Sequence, residues 1–279
     1  MTATTRQVLV HAHIFKNAGT TFDASLRRCF GECFVDHRDD QAFLKDRNAY
    51  LLDYLGEHPQ VQALSSHSLH FRITGQPGLT LHPVYFLRHP LARVWSVYRF
   101  EQAQTGVDTE GPRRAKELDL NRYVDWYLQA DSPATIRNIH TIFLSGTGPS
   151  PDHMDDKYRA AAQYLASGQA HICLVERYMD SMLVLEEMLG NVFSGLDLAW
   201  VRRNVSTSKP SQPVGESVHE LLDQLDPAVA LKLHEGNEHD LALYQQANAL
   251  LDAKLADISD LEKKRQALGE RCQASASQG

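Results

Sequence analysis

The segment HIFKNAGTTF, residues 13–22, follows a short apolar, partly β-branched run at residues 8–14 and leads into a stretch where Phe22, Leu26 and Phe30 recur every fourth residue. Such a run reads as a buried strand, and the fourfold recurrence behind a threonine able to cap reads as a helix over residues 20–30 packed back on it. The lysine, glycine and threonines between them form a tight strand-to-helix loop. A loop of this kind aims backbone N–H groups and the positive end of a helix at one point, and Lys16 adds a full charge there. It is an anion cradle. In the nucleotide-binding pattern GxxxxGK[ST] the lysine follows the second glycine, whereas Lys16 precedes Gly19, so the loop is of a different type.

Further strands are expected at residues 61–65, 83–87 and 170–175, each separated from the next by helical periodicity rather than by a hairpin turn. That alternation implies an α/β chain: a P-loop-like three-layer fold whose central, mostly parallel sheet is flanked by helices. Helical patterns follow Pro90, recur at residues 123–128, 135–144, 157–166 and 179–189, and continue beyond Pro227 into residues 250–268, so the C-terminal half is helix-rich. Residues 101–118 are polar, contain Gly-Pro and carry the basic trio Arg113, Arg114 and Lys116, which reads as an exposed insertion. A second loop is expected at residues 204–215, and a disordered tail at the Ser, Ala and Gln-rich end. At 279 residues the chain suits one core with a peripheral appendage, divided here as a domain over 1–250 and a helical extension with tail over 251–279.

Charge and cysteine content narrow the function. Twenty-eight basic against 35 acidic residues give a net charge of −7, which disfavours a nucleic-acid partner and leaves any anion site to be built locally. Cys29, Cys33, Cys173 and Cys272 lack zinc-ligand spacing and read as reduced thiols, so no metal is expected. No apolar stretch long enough for a membrane span and no signal peptide are visible, and a cytoplasmic location is the resulting expectation.

A second motif, YFLRHPLARVWSVYRF at residues 85–100, puts Arg88 at a strand end and Ser96 eight residues later on the following helix. Together the two motifs resemble the carbohydrate sulfotransferases, specifically the heparan sulfate 2-O- and 6-O-sulfotransferase-like group and its bacterial relatives. The resemblance takes in RNIHTIFLSG (137–146), LVERYMDSMLVLEEMLG (174–190), NVSTSKP (204–210) and NEHDLALY (237–244), and spans residues 7–247. It implies 3′-phosphoadenosine 5′-phosphosulfate (PAPS) as sulfuryl donor. Lys16 with Asn17, Ala18, Gly19, Thr20 and Thr21 would hold the 5′-phosphosulfate, and Arg88 with Ser96 the 3′-phosphate. Arg137 and Asn138 would approach the nucleotide or the 3′-phosphate edge. The acceptor would be a hydroxyl of a carbohydrate or glycoconjugate. Phe15 stands where the family usually has proline, which alters loop stiffness but neither the charge nor the backbone donors.

An acceptor hydroxyl needs a base that is neutral at physiological pH, which histidine supplies most readily. His67, in SSHSLHF at residues 65–71, follows a predicted strand and is the first choice; His70 is the alternative. His13 is expected to support the loop and His89 to start a helix. Glu176 would either neutralise a cation in the crevice or cap the next helix. The basic trio would either grip an acidic glycan or stay solvated. A P-loop-type nucleotide kinase or NTPase is the competing activity, but its lysine pattern is missing and no magnesium-binding acid after a strand is evident. A catalytically silent nucleotide-binding protein is the other alternative. The late helix from Ala228 would pack back on the domain or pair with a second chain to form a homo-oligomer.

Overall fold

Strand β1 (Arg6–Ala12) is the centre of a five-stranded sheet of order β2-β3-β1-β4-β5. The computed structural model describes residues 5–201 and 214–277. The other strands are β2 (Phe34–Asp36), β3 (Ala63–Ser66), β4 (Leu79–Leu87) and β5 (His171–Leu174), and every pairing is parallel. Helices α1 (Gly19–Phe30) and α2 (Asp40–Glu57) connect the first three strands. Between β4 and β5 come α3 (Pro90–Ala103), α4 (Glu110–Glu117), α5 (Leu120–Leu128), α6 (Ile139–Ser145) and α7 (Met154–Ala166). After β5 follow α8 (Tyr178–Leu189), α9 (Val214–Leu222), α10 (Pro227–Glu235), α11 (Glu238–Ala256) and α12 (Leu261–Ala276). The chain fills β2 and β3 on one side of β1 and then crosses to β4 and β5 on the other. In an open parallel sheet this reversal opens a crevice at the C-terminal strand ends, where ligands bind.

Alternation along the strands supplies both faces of the core. Val8, Val10 and Ala12 of β1 join Leu81, Tyr85 and Leu87 of β4 on one face, while Leu9 meets Val84 and Phe86 on the other. A third apolar cluster joins α3, α5, α9 and α10 through Val94, Tyr123, Leu221 and Leu233. The layered α/β architecture is as the sequence implied.

Several local expectations are corrected. β4 starts at Leu79 rather than at Pro83; proline is tolerated inside because β5 pairs with β4 only from Val84 onward. α1 starts at Gly19 behind Ala18, with no side-chain cap, so neither threonine is the cap. The helix expected over residues 135–144 is broken: a 3-10 turn (Ala134–Ile136) ends before Asn138, whose φ of 42° opens α6. Residues 101–118 are not simply an exposed insertion, because Gly111, Pro112 and Ala115 of α4 are buried and buried Glu101 accepts hydrogen bonds from Tyr123 (2.7 Å) and Tyr127 (3.0 Å). The basic trio is spent locally: Arg113 and Arg114 pair with Glu110, and Lys116 donates to the Gln104 carbonyl. The single helical pattern expected after Pro227 is three helices, α10 to α12. The tail expected to be disordered is helical through Ala276.

That last helix packs back on the domain, the first of the two arrangements left open by its sequence. Leu268 is buried, Arg271 is 2.6 Å from Glu186, Arg265 2.7 Å from Asp180 and Lys264 2.7 Å from Glu187, so α12 is fastened to α8. Of the described residues, no helix is long and apolar enough to cross a membrane.

Candidate active site

The loop after β1 carries two non-glycine residues in the left-handed region, Lys16 (φ 66°) and Ala18 (φ 59°). Left-handed residues turn successive N–H groups to one side, the geometry of an anion-binding concavity. Here it runs straight into the N-terminus of α1. No acceptor among the described residues takes the N–H groups of Ala18, Gly19 or Thr20. Three donors and a positive helix end thus converge where the sequence placed the anion. Thr20 is exposed beside them, while Thr21 is buried in the same turn.

Lys16 is half-buried, with its ammonium 4.1 Å from the centroid of the Phe100 ring. Burial, followed by the nearby Arg88 charge, pushes its pKa down to about 8. Arg88, at the end of the neighbouring β4, donates through Nη1 to the Lys16 carbonyl at 3.1 Å, and burial lowers its pKa. Ser96 lies further along α3 and is partly exposed. The structure therefore brings the cradle and Arg88 together at the switch point of the sheet.

Glu176, just beyond β5, serves α3 rather than its own next helix. Its Oε1 accepts the His89 N–H at the start of α3 (3.0 Å) and lies 3.8 Å from Arg88 Nε, while Oε2 accepts from Tyr244 (2.9 Å). Burial raises the pKa of this carboxyl against the opposing effect of Arg88 and these donors. His89 is the residue preceding α3, as expected of a helix-start histidine.

Asn17 has a different task from the one expected. Its buried Nδ2 donates to the Phe86 carbonyl (2.6 Å) and to His140 Nε2 (2.9 Å), and its own N–H bonds the Ile14 carbonyl (3.2 Å). The Asn17 side chain shapes the loop from below. Asn138 is likewise buried: its N–H donates to Asn237 Oδ1 (3.3 Å) and its Oδ1 accepts the Asp240 N–H (3.0 Å). Arg137 donates to the Ser132 carbonyl at 2.6 Å. These polar groups, expected at the nucleotide, are used within the protein because each sits where the chain breaks out of helix and leaves backbone groups unpaired.

The NEHDLALY motif supplies the other half of this frame. Fully buried Asp240 accepts from His140 N (2.9 Å), Thr141 N (2.8 Å) and Thr141 Oγ1 (2.8 Å), so α11 caps the start of α6 across the fold. His140 Nδ1 lies 3.1 Å from Asp240, and its Nε2 receives Asn17; burial pushes its pKa down to about 4. Asp240 thereby reaches the anion loop through two side chains. Replacing it by alanine strands three buried donors, and Asp240→Ala is expected to destabilise the fold by about 3 kcal/mol or more. A urea midpoint within error of the parent chain would show that this frame is dispensable.

Arg93 was missed by the sequence reading. It is 1% exposed, donates to the Phe15 carbonyl (3.4 Å) and to the Thr135 carbonyl, and its pKa is pushed down by burial to about 10. Its five-residue offset from Arg88 on RHPLARV was the available signal, since an arginine on an otherwise apolar helix turn must find buried acceptors.

On the opposite side of β1, the register Ala12↔Ser66 makes His13 and His67 neighbours as the two strands end. Their ring centroids are 3.9 Å apart. His70, three residues on, packs its ring 4.0 Å from Phe143. His13, Phe15, His67, His70, Arg93 and Phe143 line one cavity of about 190 Å³ beside the loop. Burial, then the His13 and Arg38 charges, lowers the His67 pKa to about 4; burial alone gives His70 the same value. Both rings are neutral at physiological pH.

Beneath them, Asp23 of α1 bridges two imidazoles: Oδ1 lies 2.8 Å from His11 Nδ1, and Oδ2 lies 2.9 Å from His13 Nδ1. Burial disfavours the charged carboxyl, but His11 and the hydrogen bonds from both rings hold its pKa well below the usual range. The ligand atoms of His11, His13 and Asp23 all fall within 4.8 Å of one another, a spacing open to a metal ion. Each nitrogen is nevertheless accounted for by its own carboxylate oxygen. The motif NVSTSKP (204–210) lies outside the described residues.

Comparison with known proteins agrees with this geometry. An uncharacterized protein of Archaeoglobus fulgidus is 27% identical over 245 residues, which cover 86% of this chain and 96% of that protein. The model of the sulfotransferase family matches residues 1–246, a span holding the anion loop, Arg88, both cavity histidines and the Asp240 frame, and the chain belongs to that family.

Proposed function

We propose that the protein transfers a sulfuryl group from PAPS to a hydroxyl of a carbohydrate or glycoconjugate. The observation that carries this reading is the order of groups across the strand ends: His67 after β3, the Lys16 loop after β1 and Arg88 after β4. A donor gripped by Lys16 and Arg88 leaves the His67 side for an acceptor. The first-turn N–H groups and Lys16 bind the 5′-phosphosulfate, and Arg88 with Ser96 binds the 3′-phosphate. Lys16 neutralises the charge that grows on the phosphate oxygen as the bridging S–O bond breaks. His67 takes the proton of the acceptor hydroxyl as its oxygen bonds to sulfur.

Calorimetry with adenosine 3′,5′-bisphosphate and with ATP plus magnesium tests the donor. The bisphosphate is expected to bind and ATP to bind far more weakly; the opposite order would favour the kinase reading. Arg88→Ala is expected to weaken bisphosphate binding by roughly 2 kcal/mol, the scale of a lost charge-assisted contact. Unchanged affinity would put the 3′-phosphate elsewhere. The acceptor is to be found by screening saccharides and glycoconjugates with radiolabelled donor, and failure of every carbohydrate would remove that part of the proposal.

A further inference from the structure

We infer that His13, held by Asp23, is a donor-binding residue that contacts the 5′-phosphosulfate as an imidazolium, so that the donor takes up a proton from solution as it binds. This rests on the donor assigned above. The argument starts with ring orientation. Nδ1 is committed to Asp23 at 2.9 Å, which turns the Nε2 end of the ring away from the carboxylate. That end meets Gly19: a Cβ built there would stand 2.1 Å from Nε2. Gly19 is the first residue of α1, and its N–H is one of the unaccepted donors of the cradle. An anion seated on those N–H groups therefore lies against His13 Nε2. The ring also lines the cavity beside the loop.

Charge supplies the second half of the argument. Asp23 is a buried carboxylate directly behind an anion site, where its field opposes binding unless a positive charge stands between. Of the two imidazoles on Asp23, fully buried His11 has its Nε2 enclosed without a partner. His13 is the one that faces the ligand. The groups around it are Asp23 from α1, His11 from β1, stacked His67 from the end of β3, and Arg93 and His70 across the cavity, with Lys16 in the adjoining loop. Lys16 and Arg93 oppose protonation while the site holds no anion. A bound polyanion outweighs them and, with Asp23, favours the charged ring. A positive His13 in turn keeps the stacked His67 neutral, as its role as base requires.

The test is calorimetry of adenosine 3′,5′-bisphosphate at pH 7 in buffers of different ionisation enthalpy, which reads protons taken up per molecule bound. The parent chain and His67→Asn are both expected to take up more than half a proton. In His13→Asn the uptake should fall to about 0.1, the share left to a Lys16 that is already mostly protonated at this pH. Affinity should fall about tenfold in the same variant. Uptake near 0.1 in the parent chain would overturn the inference without recourse to any variant, and so would undiminished uptake in a folded His13→Asn. Binding without proton uptake leaves the donor assignment standing, whereas no binding of the bisphosphate removes both.

Discussion

Lys16→Ala is expected to fold as the parent chain does and to lose sulfuryl transfer by about 10³-fold, the scale seen when a preorganised charge is removed from a developing oxyanion. The fold gains little from this side chain. Its pKa is depressed to about 8, so the folded state disfavours the ammonium relative to the unfolded chain. For a lysine whose folded pKa lies below its unfolded value, this destabilisation is fully present below pH 8 and fades toward pH 10.5. Removing the charge at neutral pH should leave the thermal midpoint unchanged or slightly raised. The same shift sets a pH dependence for the parent chain: bisphosphate affinity should fall as pH rises through about 8, where the empty site loses the lysine charge. A Lys16→Ala protein with comparable turnover, or with the same alkaline loss of affinity, would defeat the assignment.

His67→Ala is expected to keep donor affinity nearly intact while turnover falls by about 10²-fold or more, because a general base acts on the acceptor and not on nucleotide binding. His70→Ala should do much less, its ring being packed on Phe143 rather than stacked beside the loop. With the His67 pKa near 4 in the free protein, the base is available across the neutral range, and the acid limb of kcat/KM should lie well below the usual histidine range. If His70→Ala abolishes turnover and His67→Ala does not, the base moves three residues along the chain and the donor site is untouched. If neither matters, a carboxylate such as Glu176 must take the proton.

The corrections share one physical cause. Asn17, Asn138 and Asp240 stand in polar motifs that resemble binding elements, yet each pairs a backbone group or buried side chain left over by an irregular turn. A sequence shows that a polar residue sits beside a helix break but not whether solvent, ligand or another segment satisfies it. Asn138 and Asp240 lie 102 residues apart and meet in the fold. The same limit applies to Arg93, whose acceptors, the Phe15 and Thr135 carbonyls, lie in different segments. The long helical pattern after Pro227 fails similarly: periodicity marks the residues able to face a core but not where the chain must turn to reach it.

What the sequence determined by itself was local. The run at residues 8–14, Lys16 and Gly19 define a strand, a charged loop and a helix start, and strands separated by helical segments force parallel pairing because no hairpin is short enough to reverse the chain. Those properties depend on residues within a few positions of one another. Only the tertiary structure decided the order β2-β3-β1-β4-β5 and the register Ala12↔Ser66. That register seats His67 on His13, and the strand order puts Arg88 against the Lys16 carbonyl. Register and strand order follow from how both faces of the sheet are covered at once, a condition spread over the whole chain.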